Sequence, residues 1–281
     1  LYNDVMVLCE NIDCIRAFIK SQKNLSKTIG FVPTMGYLHQ GHISLVKASK
    51  NMCDATIVSI FVNPKQFGPK EDFEKYPRDT KKDIELLEKE HVDAVFIPNV
   101  DTLYPEGFSS TINIGPMANI LEGAFRPGHF DGVCTVVAKL FNIVSPDKAF
   151  FGEKDYQQLK IIQKLVKDLN FDIDIVPIPT KREEDGLAMS SRNSYLNQDE
   201  RKRANSIYKF LLKAKNVFES GEKHVDKIIE LAKDMLDVDI IDYIKIVDKD
   251  TLEEKKISSK YDRILIAVRI GNTRLIDNIE L

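Results

Sequence analysis

The chain has 281 residues, 43% of them apolar and 30% charged, with 40 basic and 43 acidic side chains for a formal charge of −3. That suits a folded protein of two domains, or one large domain with an appendage; 13 Gly and 11 Pro are too few for a disordered or collagen-like chain. No global positive field advertises nucleic acid or a membrane surface, and no apolar run reaches the roughly 18 residues that a bilayer span needs.

The opening Leu1-Tyr2-Asn3-Asp4 carries an acid where a signal peptide needs bases, so the expected location is cytoplasmic. Cys9, Cys14, Cys53 and Cys134 match no zinc spacing, and they are expected to be reduced, mostly buried thiols without chemistry.

In chain order, residues 28–33 read as a buried strand and residues 43–52 as a helix. Residues 55–62 (ATIVSIFV) are β-branched and apolar, a second buried strand. A helix follows at 79–90, with Ile84, Leu86 and Leu87 on one side, then a short strand at 94–97 stopped by Pro98. A helix at 133–143, a strand at 149–151, a helix at 157–169 and a strand at 171–178 continue the alternation. Continuous apolar strands alternating with helices predict a parallel sheet covered on both faces. The expected fold class is a Rossmann-like, doubly wound α/β domain with ligand sites at the carboxyl ends of its strands. Beyond residue 180 the pattern becomes two amphipathic helices (199–218 and 224–236) and alternating strands at 239–247, 264–269 and 273–279. Gly271-Asn272 makes a tight turn between the last two. The expected organisation is one domain over residues 1–180 and a smaller C-terminal α+β domain over 181–281.

Five clusters carry possible chemistry. PTMGYLHQGH (33–42) joins the first buried strand to its helix; Gly36 and Gly41 let backbone approach a ligand, and a helix N-terminus attracts anions. His39 and His42 can both face one phosphate there, can act as caps, or can bind a metal, although no third ligand accompanies them. FVNPKQFG (61–68) ends the second strand, and its neutral Asn63 and Gln66 suit a hydroxyl or carboxylate, or an ordinary turn. The polar stretch after it is a candidate lid. In RPGHFDGV (126–133), Arg126 can clamp an anion. In FGEKDYQQ (151–158), Lys154 is set to meet phosphate and Gln158 lies one turn along a helix; Asp155 can equally be a cap. In MSSRN (189–193), two hydroxyls beside a guanidinium form a phosphate grip or a solvated loop. A nucleoside triphosphate carries about four negative charges, more than a helix terminus worth about 0.3–2 kcal/mol can hold. His39, His42, Lys154 and Arg192 are therefore the expected helpers.

These five motifs, in this order, resemble the pantothenate synthetase (pantoate–β-alanine ligase) family, one of the HxGH nucleotidyltransferase-like proteins. The likeness covers about residues 28–195. The resemblance implies an ATP-dependent ligase that condenses pantoate with β-alanine through a pantoyl adenylate, releasing AMP and pyrophosphate. It implies that His42, His39, Lys154 and Arg192 act on the phosphates, and that an ATP cradle is formed by Pro33, Met35, Gly36, Tyr37, Leu38, Gln40 and Gly41. Gly152, Glu153, Lys154 and Asp155 continue the cradle, Lys181 borders the adenine, and Met189, Ser190, Ser191 and Arg192 close over the phosphates. Gln66 and Gln158 look like the pantoate pair, with Asn63 and Arg126 beside them. It further implies Mg²⁺ carried with ATP, a homodimer, and a smaller domain that closes over the site. Lys65 departs from the family, where Leu is common, and Lys181 stands where apolar residues are frequent.

Other classes share part of this pattern. A nucleotidyltransferase acting on a phosphate monoester has HxGH but needs more Arg and Lys near Gln66. A nucleotide-sensing module has no use for His42, Lys154 and Arg192 together, and a tRNA synthetase needs an anticodon module that is not visible here.

Overall fold

A computed structural model describes residues 5–281; Leu1 to Asp4, on which the expectation of a cytoplasmic location rests, lie outside the described residues. Two compact units emerge. One holds the described residues up to Glu153 together with Gln158–Pro179, and the other holds Lys154–Gln157 and Thr180–Leu281.

In the first unit six strands pair in the order β1-β4-β3-β2-β5-β6, parallel throughout: β1 Val7–Cys9, β2 Ile29–Thr34, β3 Ala55–Ile60, β4 Ala94–Phe96, β5 Lys148–Gly152 and β6 Asp174–Ile178. The helices are α1 Ile12–Asn24, α2 Gln40–Met52, α3 Thr80–Lys89, the short α4 Val100–Leu103 and α5 Glu122–Phe125, α6 His129–Val144, and α7 Tyr156–Asp168. Alternation along β2 sends neighbours to opposite faces. Val32 joins Leu45, Val46 and Leu87 from α2 and α3 on one face. Phe31 meets Phe141 of α6 edge-on at 6.5 Å on the other, where α1 also packs. Strands buried on both faces explain why they read as unbroken apolar runs. The chain works outward from β2 through β3 to β4 and later adds β5 on β2's other flank, so the switch point lies between β2 and β5. The turns that leave β3, β2 and β5 are thus neighbours at one end of the sheet.

In the second unit, β7 Ile240–Val247, β8 Arg263–Ile270 and β9 Thr273–Glu280 form an antiparallel sheet, with α8 Gln198–Ala204, α9 Ser206–Glu219 and α10 Val225–Ala232. Phe210, Leu211, Ile228, Ile264, Ile266 and Val268 fill its core. The Gly271-Asn272 turn has Gly271 at φ +54° with Ile270 paired to Thr273, as a two-residue hairpin requires.

Two expectations need correction, and one pair of elements carries too weak a sequence pattern to be expected. Residues 199–218 are not one helix: α8, begun by Asn197 and Glu200 capping each other, ends at Ala204, and α9 starts anew at Ser206. The pair β1 and α1 was not read, because a three-residue edge strand lacks a long apolar run. The cysteines are not all reduced either: Cys9, at the end of β1, and Cys14, in the first turn of α1, form a disulfide, leaving Cys53 and Cys134 as thiols. No helix among the described residues is long and apolar enough to cross a membrane.

Candidate active site

The turn from β2 into α2 carries Met35 to His42. Gly36 (φ +79°) and Tyr37 (φ 50°) bend the chain so that the Tyr37 and Leu38 N–H groups donate to the Asp83 carboxylate, at 2.8 and 2.7 Å. A Cβ on Gly36 would stand 3.0 Å from both Asp83 Oδ2 and Ile60 Cγ2, on top of its left-handed backbone. Asp83 is 3% exposed. Burial pushes its carboxyl above the ordinary range while the two N–H bonds pull the other way. Sequence reading missed this residue. The available signal was an acid four positions before Leu87, on the packed side of α3.

His39 is the N-cap of α2, its Nδ1 accepting from Gly41 N–H at 3.1 Å, and His42 Nδ1 accepts from His39 N–H at 3.2 Å. The two rings lie 4.1 Å apart, centre to centre. Because both Nδ1 atoms accept, each neutral imidazole carries its proton on Nε2, which makes Nε2–H the donor edge of both rings. The cap and phosphate readings are therefore compatible: capping through Nδ1 fixes the tautomer a phosphate ligand needs. Pro33 pairs with Ser59 inside the sheet, and Gln40 is the exposed first residue of α2.

After β3, Asn63 organises the next turn. Its amide donates to Gln66 Oε1 (3.0 Å) and to the Gly132 carbonyl (3.1 Å), and its oxygen accepts from the Tyr104 hydroxyl (2.7 Å) and Lys65 N–H (3.2 Å). Gln66 Nε2 reaches Met35 Sδ at 3.2 Å, joining the first two clusters. The Lys65 ammonium rests 5.1 Å from the centre of the Tyr104 ring and 5.3 Å from that of Phe108.

Arg126 reaches this turn through one long bond, 3.5 Å from its guanidinium to the Gln66 carbonyl, and through a bridging histidine. Its guanidinium binds Glu71 with two bonds of 2.6 and 2.9 Å and donates to His129 Nε2 at 3.1 Å. His129 then donates from Nδ1 to the Gln66 carbonyl at 2.8 Å. Burial, helped by the Arg126 charge, lowers the His129 pKa to about 4, so the ring is neutral and acts as a bridge. Burial opposes ionisation of Glu71, yet the hydrogen bonds and charge of Arg126 hold its carboxyl below the usual range. The anionic partner of Arg126 in this structure is Glu71 of this chain. Its contribution to the site passes through the Gln66 backbone.

Gly152 ends β5 and Glu153 opens a single 3-10 turn. Gln158 sits half-buried on α7 in the first unit. In the second unit Lys154 Nζ lies 3.4 Å from Asp155 Oδ1, and the Lys154 carbonyl accepts from Asn278 Nδ2 at 2.9 Å. Met189 N–H bonds the carbonyl of exposed Lys181 at 3.0 Å, and Ser190 caps the turn Ser191–Tyr195 by accepting from Arg192 N–H at 3.3 Å. Clusters one to three are thus joined within the first unit, while Lys154, Lys181 and residues 189–193 belong to the second.

The family model described as pantoate-beta-alanine ligase matches residues 7–280. The chain belongs to that family. It is an ATP-dependent ligase that joins pantoate to β-alanine. It is 52% identical to the pantothenate synthetase of Aquifex aeolicus over 97% of this chain and 98% of that one. To the enzyme of Caldicellulosiruptor saccharolyticus it is 53% identical, over 98% and 99%. Among solved structures, the pantothenate synthetase of Thermus thermophilus superposes with a TM-score of 0.93 at 43% identity, covering 98% of this ligase and 99% of that chain. The Francisella tularensis ligase, complexed with "Beta-gamma ATP" and β-alanine, gives 0.80 at 38% identity over 98% of both chains.

Proposed function

We propose that the ligase works through a pantoyl adenylate, with the residues of the five clusters in defined roles. The observation that carries this is the pair of imidazoles locked as Nε2–H donors at the start of α2. The pantoate carboxylate attacks the α-phosphorus of ATP, the bond to the β-phosphate oxygen breaks, and pyrophosphate leaves. A carboxylate alone is a poor acyl donor because its leaving group would be oxide; AMP is a far better one. The amine of β-alanine then attacks the acyl carbon, AMP departs, and the amine loses a proton. Neither step needs covalent attachment to the protein, so positioning and charge neutralisation carry the rate. His42 and His39 donate to the phosphates, and Lys154, Ser190, Ser191 and Arg192 meet the charge that builds on pyrophosphate. Backbone of Met35 to Gly41, Gly152 to Asp155, Lys181 and Met189 borders the nucleotide. Gln66 and Gln158 bind pantoate, Asn63 holds Gln66 in place, and Arg126 acts through the Gln66 carbonyl.

Magnesium is proposed to arrive with ATP. Its ligands would be mainly phosphate and water oxygens, as is usual for this ion. The resemblance supports a homodimer, which sedimentation velocity tests. ATP use favours the cytoplasm, whereas the Cys9–Cys14 bond is unusual for a reducing compartment. Thiol trapping in freshly lysed cells decides that point.

The test of the mechanism is isotope exchange. With pantoate and without β-alanine, labelled pyrophosphate should enter ATP; ADP among the products of the full reaction would exclude the adenylate. His42→Ala and Lys154→Ala should each slow adenylation by roughly 10²–10³-fold, as loss of one preorganised donor does, with Lys154→Ala melting near the parent temperature and His42→Ala giving up its cap bond as well. A role limited to helix capping predicts near-normal adenylation and lower stability by about 0.5–2 kcal/mol.

A further inference from the structure

Adjacent Asp and Asn inside a strand invite the question of what they bond, since both Asp277 and Asn278 of β9 are 3% exposed and buried polar groups require partners. We propose that this pair positions ATP-handling segments of the second unit; the proposal rests on the reading of Lys154, Ser190 and Arg192 as ATP ligands. Asp277 binds the Arg182 guanidinium with two bonds of 2.6 and 2.9 Å. Arg182 stacks 4.0 Å from the centre of the Tyr208 ring, donates to the Gly186 carbonyl at 3.1 Å, and pairs with Ala188 in an isolated bridge. It therefore roots the hairpin whose outgoing arm continues into Ser190 and Arg192, and Asn193 Nδ2 ties that turn back to the Ala188 carbonyl at 3.0 Å.

Asn278 faces the other segment. Its Oδ1 accepts from Arg263 Nε at 2.7 Å, and its Nδ2 donates to the Lys154 carbonyl at 2.9 Å. Arg263 in turn lies 4.1 Å over the ring of Tyr156, two residues after Lys154. Two stretches far apart in sequence, 154–156 and 182–193, are thus referenced to consecutive residues of one strand. Displacing β9 moves both. A strand whose contacts lie 95 positions from Arg182 and 124 from Lys154 sets the geometry on which phosphate binding depends.

The design that separates positioning from mere stability is Asn278→Asp. It keeps an acceptor for Arg263 and replaces the donor to Lys154 with an oxygen. Pyrophosphate exchange, KM for ATP and for pantoate, and melting are measured on Asn278→Asp, on Asn278→Ser should the first fold poorly, and on Arg274→Gln. Arg274 lies on the same strand and pairs with Asp242 at 2.6 Å. Because a 1 Å misplacement of reacting groups costs about 10²-fold, exchange in the Asn278 variants should fall by about tenfold or more with KM for ATP raised and KM for pantoate nearly unchanged. Arg274→Gln should lower the melting temperature alone. Parent-like exchange in folded Asn278 variants, or equal loss in Arg274→Gln, overturns the proposal. Lys154→Ala run alongside separates the two levels. If it adenylates normally, the reading of the site fails; if it is inactive while Asn278→Asp is normal, only the role of β9 fails.

Discussion

Single atoms decide much of this site. Asp83 holds two consecutive N–H groups with its two oxygens, so Asp83→Asn can keep one bond and must turn an NH₂ group toward the other donor. An unmade buried bond of this kind costs about 1–3 kcal/mol. Single-turnover AMP formation should therefore slow in Asp83→Asn, beyond any loss of folded protein seen by melting; a parent rate per folded molecule would make Asp83 purely structural. His129 provides a second test, with pH. It titrates at about 4 when folded, against roughly 6.5 in the unfolded chain. Between those values the unfolded chain binds the extra proton, so stability falls as pH drops through that window, by up to about 3 kcal/mol. Glu71, depressed in the folded state, adds stability above the ordinary carboxylate pKa and gives it up as pH falls toward its lower folded value. His129→Gln can accept from Arg126 and donate to the Gln66 carbonyl without titrating. Urea midpoints across pH should show a flatter decline between about 6.5 and 4 in that variant. An unchanged slope would take His129 out of the acid response.

Elements show where sequence patterns mislead and why. Helix α2 begins at Gln40, three residues before the apolar periodicity starts, because the two histidines cap it with ring nitrogens instead of the usual oxygens. Helix α6 begins at His129, although glycines at 128 and 132 suggest a turn. Gly128 is the left-handed N-cap, and Gly132 lies inside the helix because a Cβ there would overlap the Lys65 carbonyl. That close approach lets Asn63 reach the Gly132 carbonyl, so a packing glycine in α6 supports the Gln66 turn. The edge pair β1 and α1 adds a covalent tie. Protein unfolded under acid quench without reductant should titrate two thiols, Cys53 and Cys134, and not four. Cys14→Ser should cost at most about 2 kcal/mol, the chain-entropy value for so short a loop, and leave adenylation intact.

At the scale of the whole molecule, the chemistry divides into two half-reactions, and their separation is testable. Supplied with pantoyl adenylate, His42→Ala and Lys154→Ala should form amide at most of the parent rate, because pyrophosphate has already left. Continued inactivity would assign those residues to the amide step as well. The sequence by itself determined the parallel sheet, the five motifs and the ligase family, because these rest on local periodicity and on side-chain types in a fixed order. Its Gly271-Asn272 hairpin was legible for the same reason: two neighbouring residues meet the whole requirement. Only the tertiary structure revealed that Arg126 spends its charge on Glu71, that Asp83 holds the histidine turn, and that Asn278 holds Lys154. Those partners lie 55, 46 and 124 positions apart. No local pattern encodes such pairs; burial selects them, since a polar group removed from water must find its partner wherever the folded chain brings one.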